Sequence, residues 1–131
     1  MRSLLFVPGD SERKLEKSLT SGADVLLIDL EDSVALEAKP KARETATAFL
    51  AANRELETRP RLYVRVNALD TGETDADLAA VMRAAPDGIM LPKSISGRDV
   101  QHLSAKLAVH EAEQGLADGA TRVLVVATET A

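Results

Sequence analysis

The chain has 131 residues, of which 45% are hydrophobic and 28% charged, a composition typical of one folded globular domain and not of a disordered segment. Its formal net charge of -5 would repel a phosphate backbone, which argues against general nucleic-acid binding. The chain has no cysteine and only 2% aromatic residues, so disulfides, thiol nucleophiles and thiolate metal sites are excluded, and base-stacking platforms are not expected.

The first residues, MRSLLFVPGD, carry one arginine and a short apolar run that ends at proline and glycine. That run is too short for a signal peptide or a membrane span, so we expect a cytoplasmic protein that does not enter a membrane. A bound metal would have to be held by oxygen ligands or by His102 and His110.

Short apolar runs alternate with segments of helical periodicity along the whole chain. This alternation is typical of repeated βα units that build a parallel sheet. The predicted strands are Leu4–Val7, Val25–Leu30, Leu62–Val66, Gly88–Leu91 and Arg122–Ala127. The first two are nearly continuous apolar runs, which predicts that both of their faces are covered.

Four predicted helices separate the strands, and each has a recognisable start. They begin after Asp10 or Ser11, near Ala38, after Thr74 and after Gly97. Pro40 fits the first turn of the second helix, and Gly22 marks the end of the first. No linker divides the chain, so residues 1–131 are predicted to form a single domain. Five strands fit either a complete open sheet or a little over half of a (β/α)8 barrel of about 250 residues, and length alone does not choose between them.

Charged residues collect at the carboxyl ends of four predicted strands. Sorting each strand by the alternation of its side chains gives Asp29 with Glu31, Arg65 with Asn67, Lys93 after Leu91, and Glu129 after Ala127. Active sites of parallel α/β proteins lie at these ends, where the loops and the starts of the following helices converge. The pattern therefore predicts a site at this rim.

The residue types at that rim suit an anionic substrate and a hard cation. Glu129, with Glu31 or Asp32 nearby, could supply oxygen ligands to magnesium. Arg65 presents a planar fork that matches a substrate carboxylate. Lys93 offers a point charge, and the amide groups that open the first helix could meet a phosphate.

A structural role is also open for each of these residues. Arg65 could be the ion-pair partner of Asp29 or Glu31, because a buried guanidinium requires a partner. Lys93 and Glu129 could be solvated charges, and His110 fits a surface position on the fourth helix.

Five motifs in chain order carry a specific resemblance: RSLLFVPGD, DLEDSV, VRVN, LPK and TETA. In this order they resemble the amino-terminal half of citrate lyase β-subunit-like proteins of the HpcH/HpaI aldolase/citrate lyase superfamily, and the match covers essentially the whole chain. The resemblance implies the parallel α/β fold of the (β/α)8 TIM-barrel family, present here as about five strands and four helices of an incomplete barrel.

Members of that family cleave or form a carbon–carbon bond in 3-hydroxyacyl-coenzyme A thioesters of the citryl- or malyl-coenzyme A type, using Mg2+. The resemblance implies that Glu129 is the first carboxylate ligand of magnesium. Arg65 would bind the carboxylate of the oxo-acid fragment, and Glu31 and Asp32 would form an acidic pair near the metal.

The resemblance also implies contacts with the rest of the thioester. Arg2, Arg13 and Lys17 would lie near the coenzyme A phosphates, and Lys93 would add a substrate-binding charge. It further implies a homo-oligomer, a trimer or a hexamer.

In the family a second metal ligand, an aspartate, follows the strand that ends in TETA. We therefore expect the 131-residue chain to be a fragment that shows no lyase turnover alone. Two non-catalytic alternatives stay open: a receiver-like signalling module, which has strand order 2-1-3-4-5, and an inactive barrel that serves in assembly or regulation.

Overall fold

Strands and helices alternate through all of the chain that the structure describes. A computed structural model describes residues 3–31, 34–55, 60–67, 72–91, 97–116 and 121–125, with only the backbone of 97–100, 124 and 125. The strands are β1 (Leu4–Pro8), β2 (Val25–Asp29), β3 (Arg61–Arg65), β4 (Gly88–Leu91) and β5 (Arg122–Val125). The helices are α1 (Glu12–Ser18), α2 (Lys39–Asn53), α3 (Thr74–Val81) and α4 (Gly97–Glu113), with short 3-10 turns at Leu36–Ala38 and Met82–Ala84. Each predicted strand and helix is present, and the ends that can be compared differ from the predicted ones by a few residues. The predicted end of the fifth strand at Ala127 lies outside the described residues.

The five strands form one parallel sheet in the order β1-β2-β3-β4-β5. Each strand therefore lies beside the next strand along the chain, as in a (β/α)8 barrel, and the predicted α/β class is confirmed. A receiver-like sheet would place its first strand between the second and third, so that alternative is wrong for this chain. Within the described residues the sheet is open, with β1 and β5 at its two edges.

The main hydrophobic core lies between one face of the sheet and the helices. The sheet contributes Val7, Leu26, Ile28, Leu62, Val64, Ile89 and Leu91, with Leu30 and Val66 directly after β2 and β3. The helix residues include Leu15, Ala46, Leu50, Leu78, Val81, Leu103 and Leu107. Full burial of one such aliphatic side chain contributes about 1.5–3 kcal/mol, so this layer holds the helices on the sheet. The opposite face carries a smaller cluster of Val25, Leu27, Tyr63 and Met90.

Burial differs between the first two strands. Every residue of β2 is buried, as its continuous apolar run predicts. For β1 that prediction is wrong, because Leu5 is 38% exposed and Phe6 is 46% exposed. The reason is position: within the part of the chain that the structure describes, β1 is an edge strand whose one neighbouring strand is β2.

The first helix begins as predicted and ends early. The Ser11 hydroxyl accepts a hydrogen bond from the Lys14 amide at 3.3 Å, so Ser11 is the capping residue. After Ser18 the chain continues in tighter i to i+3 turns, and it reverses at Gly22, where φ is +83°. Gly22 therefore ends the turn that follows the helix and not the helix itself.

Three acidic residues, two directly before strands and one near the end of α4, accept hydrogen bonds from the backbone near the amino ends of the strands. Asp24 accepts from the Ser3 amide at 3.2 Å, Asp87 from the Leu62 amide at 2.8 Å, and Glu111 from the Thr121 amide at 2.8 Å. These contacts join the loops that precede the strands. We assign them a structural role, since in barrel folds the amino-terminal rim contributes stability and the carboxyl-terminal rim contributes chemistry.

The longest helix described is α4, with 17 residues. None of the helices in the described ranges has both the length and the apolar character that crossing a membrane requires.

Candidate active site

The candidate site lies where β1, β2 and β3 end together. Pro8, Asp29 and Arg65 are register partners across these strands, so their side chains share one face of the sheet at the same level. That face is opposite to the helix layer and continues the surface formed by Leu27 and Tyr63. In a barrel this is the inner face, and its carboxyl end is the mouth.

Arg65 and Asp29 form a two-point ion pair across β2 and β3. The Nε of Arg65 donates to Oδ1 of Asp29 at 2.9 Å, and Nη2 donates to Oδ2 at 2.8 Å. Arg65 therefore forms the ion pair with Asp29 that was expected if it has a structural role. Asp29 engages the Nε/Nη2 edge of the guanidinium, so a second carboxylate would use the Nη1/Nη2 edge.

An aromatic ring on the edge strand β1 covers the same guanidinium. The Cζ atom of Arg65 lies 4.9 Å from the centre of the Phe6 ring, within cation–π distance. Phe6 lies on the same face as Pro8, two residues earlier in β1. The guanidinium is thus oriented by Asp29 in its plane and by Phe6 over its face.

Glu31 completes an acidic group beside Arg65. Its amide donates to Oδ1 of Asp29 at 2.8 Å, and its Oε1 lies 3.7 Å from Nε of Arg65. The Glu31 side chain is 8% exposed. The predicted meeting of Glu31 and Arg65 is therefore found, and this group of three side chains holds two carboxylates and one guanidinium.

The side chains at this point provide some of the oxygen ligands that a hard cation requires. Carboxylate oxygens such as those of Glu31 suit magnesium, which takes one or two carboxylates directly and keeps several waters. No group of three or more acidic or histidine side chains is arranged for a metal among the described residues. The predicted ligand Glu129 and its predicted neighbour Asp32 lie outside the described residues, as do Arg2 and Lys93.

The register of the fourth and fifth strands is described up to Leu91 and Val125. In β4 and β5 the register aligns Ile89 with Val123 and places Ile89 opposite Val64, on the helix-facing side of the sheet. Asp29 and Arg65 lie on the other side. Lys93 and Glu129 lie outside the described residues, so their predicted place at the rim with Arg65 stays a prediction.

Two other predicted residues lie on α1. Arg13 and Lys17 are both exposed, whereas Asp29, Glu31 and Arg65 are largely buried. Lys17 lines a groove of about 250 Å³ beside β1, together with Leu5, Val7, Pro8 and Lys14. The two histidines lie on α4. His102 is exposed, and Nδ1 of His110 lies 3.3 Å from Oε1 of Glu113 near the carboxyl end of the helix.

The sequence interpretation missed the residues that support the site from the helix side. Lys39 donates to the Leu30 and Glu31 carbonyls, and Asn67 donates to the Leu30 carbonyl and to Asp77. One sequence signal was available for Lys39. A cation at the first residue of a helix opposes the helix dipole, so a lysine there requires another reason.

Comparisons with known proteins extend over nearly the whole chain. The family model described as HpcH/HpaI aldolase/citrate lyase matches residues 2–131. Citrate lyase subunit beta of Escherichia coli strain K12 is 39% identical over 125 residues, which are 94% of this chain and 40% of that protein. The (3S)-malyl-CoA thioesterase of Cereibacter sphaeroides strain KD131 is 37% identical over 125 residues, which are 91% of this chain and 43% of that protein.

Solved structures give the same picture. CitE from Mycobacterium tuberculosis in complex with magnesium, acetoacetate and coenzyme A matches with a TM-score of 0.67 and 32% identity, over 93% of this chain and 47% of that chain. Malate synthase of Haloferax volcanii matches with a TM-score of 0.81 at 17% identity, over 94% of this chain and 40% of that one, which shows a common fold alone. The chain spans less than half the length of the curated relatives named above.

Proposed function

Because this chain belongs to the HpcH/HpaI aldolase/citrate lyase family, we propose that the protein is a magnesium-dependent carbon–carbon lyase. Its substrates would be 3-hydroxyacyl-coenzyme A thioesters of the citryl- or malyl-coenzyme A type, cleaved to an oxo acid and an acyl-coenzyme A. The observation that carries the proposal is the Asp29–Glu31–Arg65 group at the carboxyl ends of adjacent parallel strands. The coenzyme A in the M. tuberculosis CitE complex supports the substrate class.

Arg65 has the geometry of a carboxylate-binding residue. Asp29 holds its Nε/Nη2 edge and Phe6 covers its face, so the orientation of the guanidinium is set before a substrate arrives. A substrate carboxylate bound along the Nη1/Nη2 edge would be fixed by two parallel hydrogen bonds. Such fixation lowers the barrier by holding the reacting carbons in a productive geometry.

Glu31 supplies negative charge next to that position. We propose that Glu129, with Glu31 or Asp32, holds the magnesium ion, in keeping with the magnesium present in the CitE complex. When bound, magnesium supplies a Lewis acid that polarises a hydroxyl or carbonyl oxygen. Glu31 would supply negative charge where the site binds the cation, and Arg65 would supply positive charge where it binds the substrate carboxylate.

The test supplies the full-length protein with citryl- or malyl-coenzyme A and measures the products, after the coenzyme A species are separated by chromatography. With magnesium present we expect an oxo acid and an acyl-coenzyme A, and with a chelator in excess we expect no cleavage. Arg65→Gln should lower kcat/KM about 100-fold, because the substrate carboxylate loses its fixed position. Arg61→Gln is the matched control, since Arg61 is exposed at the other end of the same strand.

The products distinguish carbon–carbon bond cleavage from thioester hydrolysis. Release of free coenzyme A with an intact carbon skeleton would mean thioester hydrolysis and would overturn the lyase proposal. Absence of any turnover of both thioesters by the full chain would favour an assembly role.

A further inference from the structure

One peptide group at the end of β2 lies between two opposite charges. The peptide that joins Leu30 to Glu31 has its N–H directed to Oδ1 of Asp29 at 2.8 Å. Its carbonyl oxygen accepts from the Nζ of Lys39 at 2.9 Å. Since a peptide is a dipole with its positive end at N–H, the carboxylate and the ammonium both stabilise the same orientation.

Lys39 is an unusual residue to find in this place. It is the first residue of α2 and is only 8% exposed, although lysine is almost never buried. Its ammonium group also donates to the Glu31 carbonyl at 3.1 Å, so it bridges two successive carbonyls of one turn. The lysine thus joins the start of α2 to the backbone on both sides of Glu31.

A second support holds the same carbonyl from β3 and α3. Nδ2 of Asn67 donates to the Leu30 carbonyl at 3.0 Å and to Oδ2 of Asp77 at 2.7 Å. Asp77 is fully buried and is paired in turn with Arg43, whose Nε lies 2.8 Å from Oδ1. The Leu30 carbonyl is therefore fixed by a chain of buried polar contacts that begins on α2 and α3.

We propose that Lys39 is a positioning residue for the reaction: from the helix side it fixes the 30–31 peptide and thereby aims Glu31 at the Arg65 pocket. This inference rests on the proposed lyase function, since it gives Glu31 a role in that pocket. Lys39 acts through the backbone and does not touch the substrate. Without its ammonium group the Leu30 and Glu31 carbonyls lose a donor, and the turn that carries Glu31 relaxes.

The first experiment is a double-mutant cycle in the full chain. Lys39→Met keeps most of the apolar stem and removes the charge, so we expect kcat/KM to fall about 10- to 100-fold, the range seen when a residue that orients a site ligand is lost. In a Glu31→Gln background the same change should cost less than about threefold, because the residue through which Lys39 acts is already impaired. Lys39→Arg retains a cation and should restore part of the activity.

Two controls separate positioning from loss of stability. Lys41→Met removes an exposed lysine from the same helix, and Ala46→Gly weakens the buried face of α2 without touching the 30–31 peptide. Both should leave kcat/KM within about threefold of the parent protein. Equal losses for Lys39→Met and Ala46→Gly, or an undiminished effect of Lys39→Met in the Glu31→Gln background, would overturn the positioning role.

Hydrogen exchange tests the same inference without turnover, so failure of the proposed function would not hide the answer. In Lys39→Met, peptides that span residues 29–36 should exchange about tenfold faster than in the parent protein, because the turn opens locally. Ala46→Gly should leave that segment close to the parent rate while exchange in α2 rises. The same rate at residues 29–36 in Lys39→Met and in the parent would refute the contact.

Discussion

The guanidinium of Arg65 and the carboxylate of Asp29 meet edge to edge, with heavy-atom distances of 2.9 Å and 2.8 Å. The two side chains are only 13% and 4% exposed, so neither charge is well solvated. Removing one partner from such a pair leaves the other charge poorly hydrated, which costs more than the pair itself contributes. The effects of substituting Arg65 and Asp29 on the free energy of unfolding should therefore not be additive.

We expect Arg65→Met to lower the free energy of unfolding of the full chain by about 3 kcal/mol, because the Asp29 carboxylate remains buried without its guanidinium. Asp29→Asn keeps an oxygen that can accept from the Glu31 amide and should cost about 2 kcal/mol. The double variant should lose at least about 1 kcal/mol less than the sum, since Asp29 no longer leaves a buried charge when its guanidinium is removed. Urea denaturation measures all three, and strictly additive losses would contradict the prediction.

Two aspartates two residues apart on α3 should differ sharply. Asp77 is fully buried and contacts Arg43 and Asn67, whereas the Asp75 side chain is 75% exposed and contacts only the ammonium of Lys106 among the contacts described. Asp77→Asn should therefore lower the free energy of unfolding by about 3 kcal/mol, because one of its oxygens becomes a donor that faces other donors. Asp75→Asn is the matched control and should cost less than about 1 kcal/mol. Similar losses for both would show that burial of the network is unimportant.

The same Asp77 network sets the electrostatics of Arg43. Burial acts to lower the pKa of Arg43, but the hydrogen bond and charge of Asp77, with the charge of Glu73, outweigh it, and the pKa is raised. Arg43 is therefore cationic around neutral pH.

The contact between Asp75 and Lys106 makes the free energy of unfolding depend on pH, and the pKa shift of Asp75 gives the sign of that dependence. The hydrogen bond from Lys106, with its positive charge, lowers the pKa of Asp75 in the folded chain. A carboxyl group with a depressed folded pKa stabilises the fold above its unfolded pKa of about 3.9, and this contribution is lost as the pH falls through the folded value. Parent and Asp75→Asn should thus differ most near neutral pH and converge in acid. Urea denaturation from about pH 7 to about pH 3 tests this, and a difference that grows in acid would contradict it.

Much of the fold was predictable because strand order and burial follow from local pattern. Apolar runs and helical periodicity locate the elements, and successive βα units place each strand beside the previous one. The exposure of β1 was not predictable from its apolar run, since Leu5 and Phe6 are uncovered by their place at the sheet edge and not by their residue type. Position within a sheet is a property of the whole topology.

The site was predictable where two strands are direct neighbours. Alternation places Asp29, Glu31 and Arg65 on one face, and the register of β2 with β3 brings them into contact. Lys39 was not predicted, because its ammonium reaches Leu30 through a long flexible stem, and neither side-chain alternation nor strand register locates the end of such a side chain. The predicted roles of Asp32, Lys93 and Glu129 stay predictions, since these residues lie outside the described ranges.

The inner face of the sheet provides the last prediction, through the contact between Gly88 and Tyr63. A Cβ atom at Gly88 would lie 2.5 Å from Cε2 and 2.7 Å from Cζ of the Tyr63 ring, and that ring is buried between strands. Gly88→Ala should therefore lower the free energy of unfolding by about 1–3 kcal/mol through overpacking. In a Tyr63→Leu background, which removes the ring, the same change should cost at least about 1 kcal/mol less.

Gly115→Ala is the control for this cycle. No described residue has an atom within 4 Å of a Cβ at Gly115, but its φ of +73° makes alanine strained there. Its cost of about 1 kcal/mol should come from the backbone alone and should be the same with tyrosine or leucine at position 63. If Tyr63→Leu relieved both alanine variants equally, the effect would not arise from ring contact. If it relieved neither, the sheet would accommodate the methyl group by moving β4, and the inner face would be less tightly packed than its distances imply.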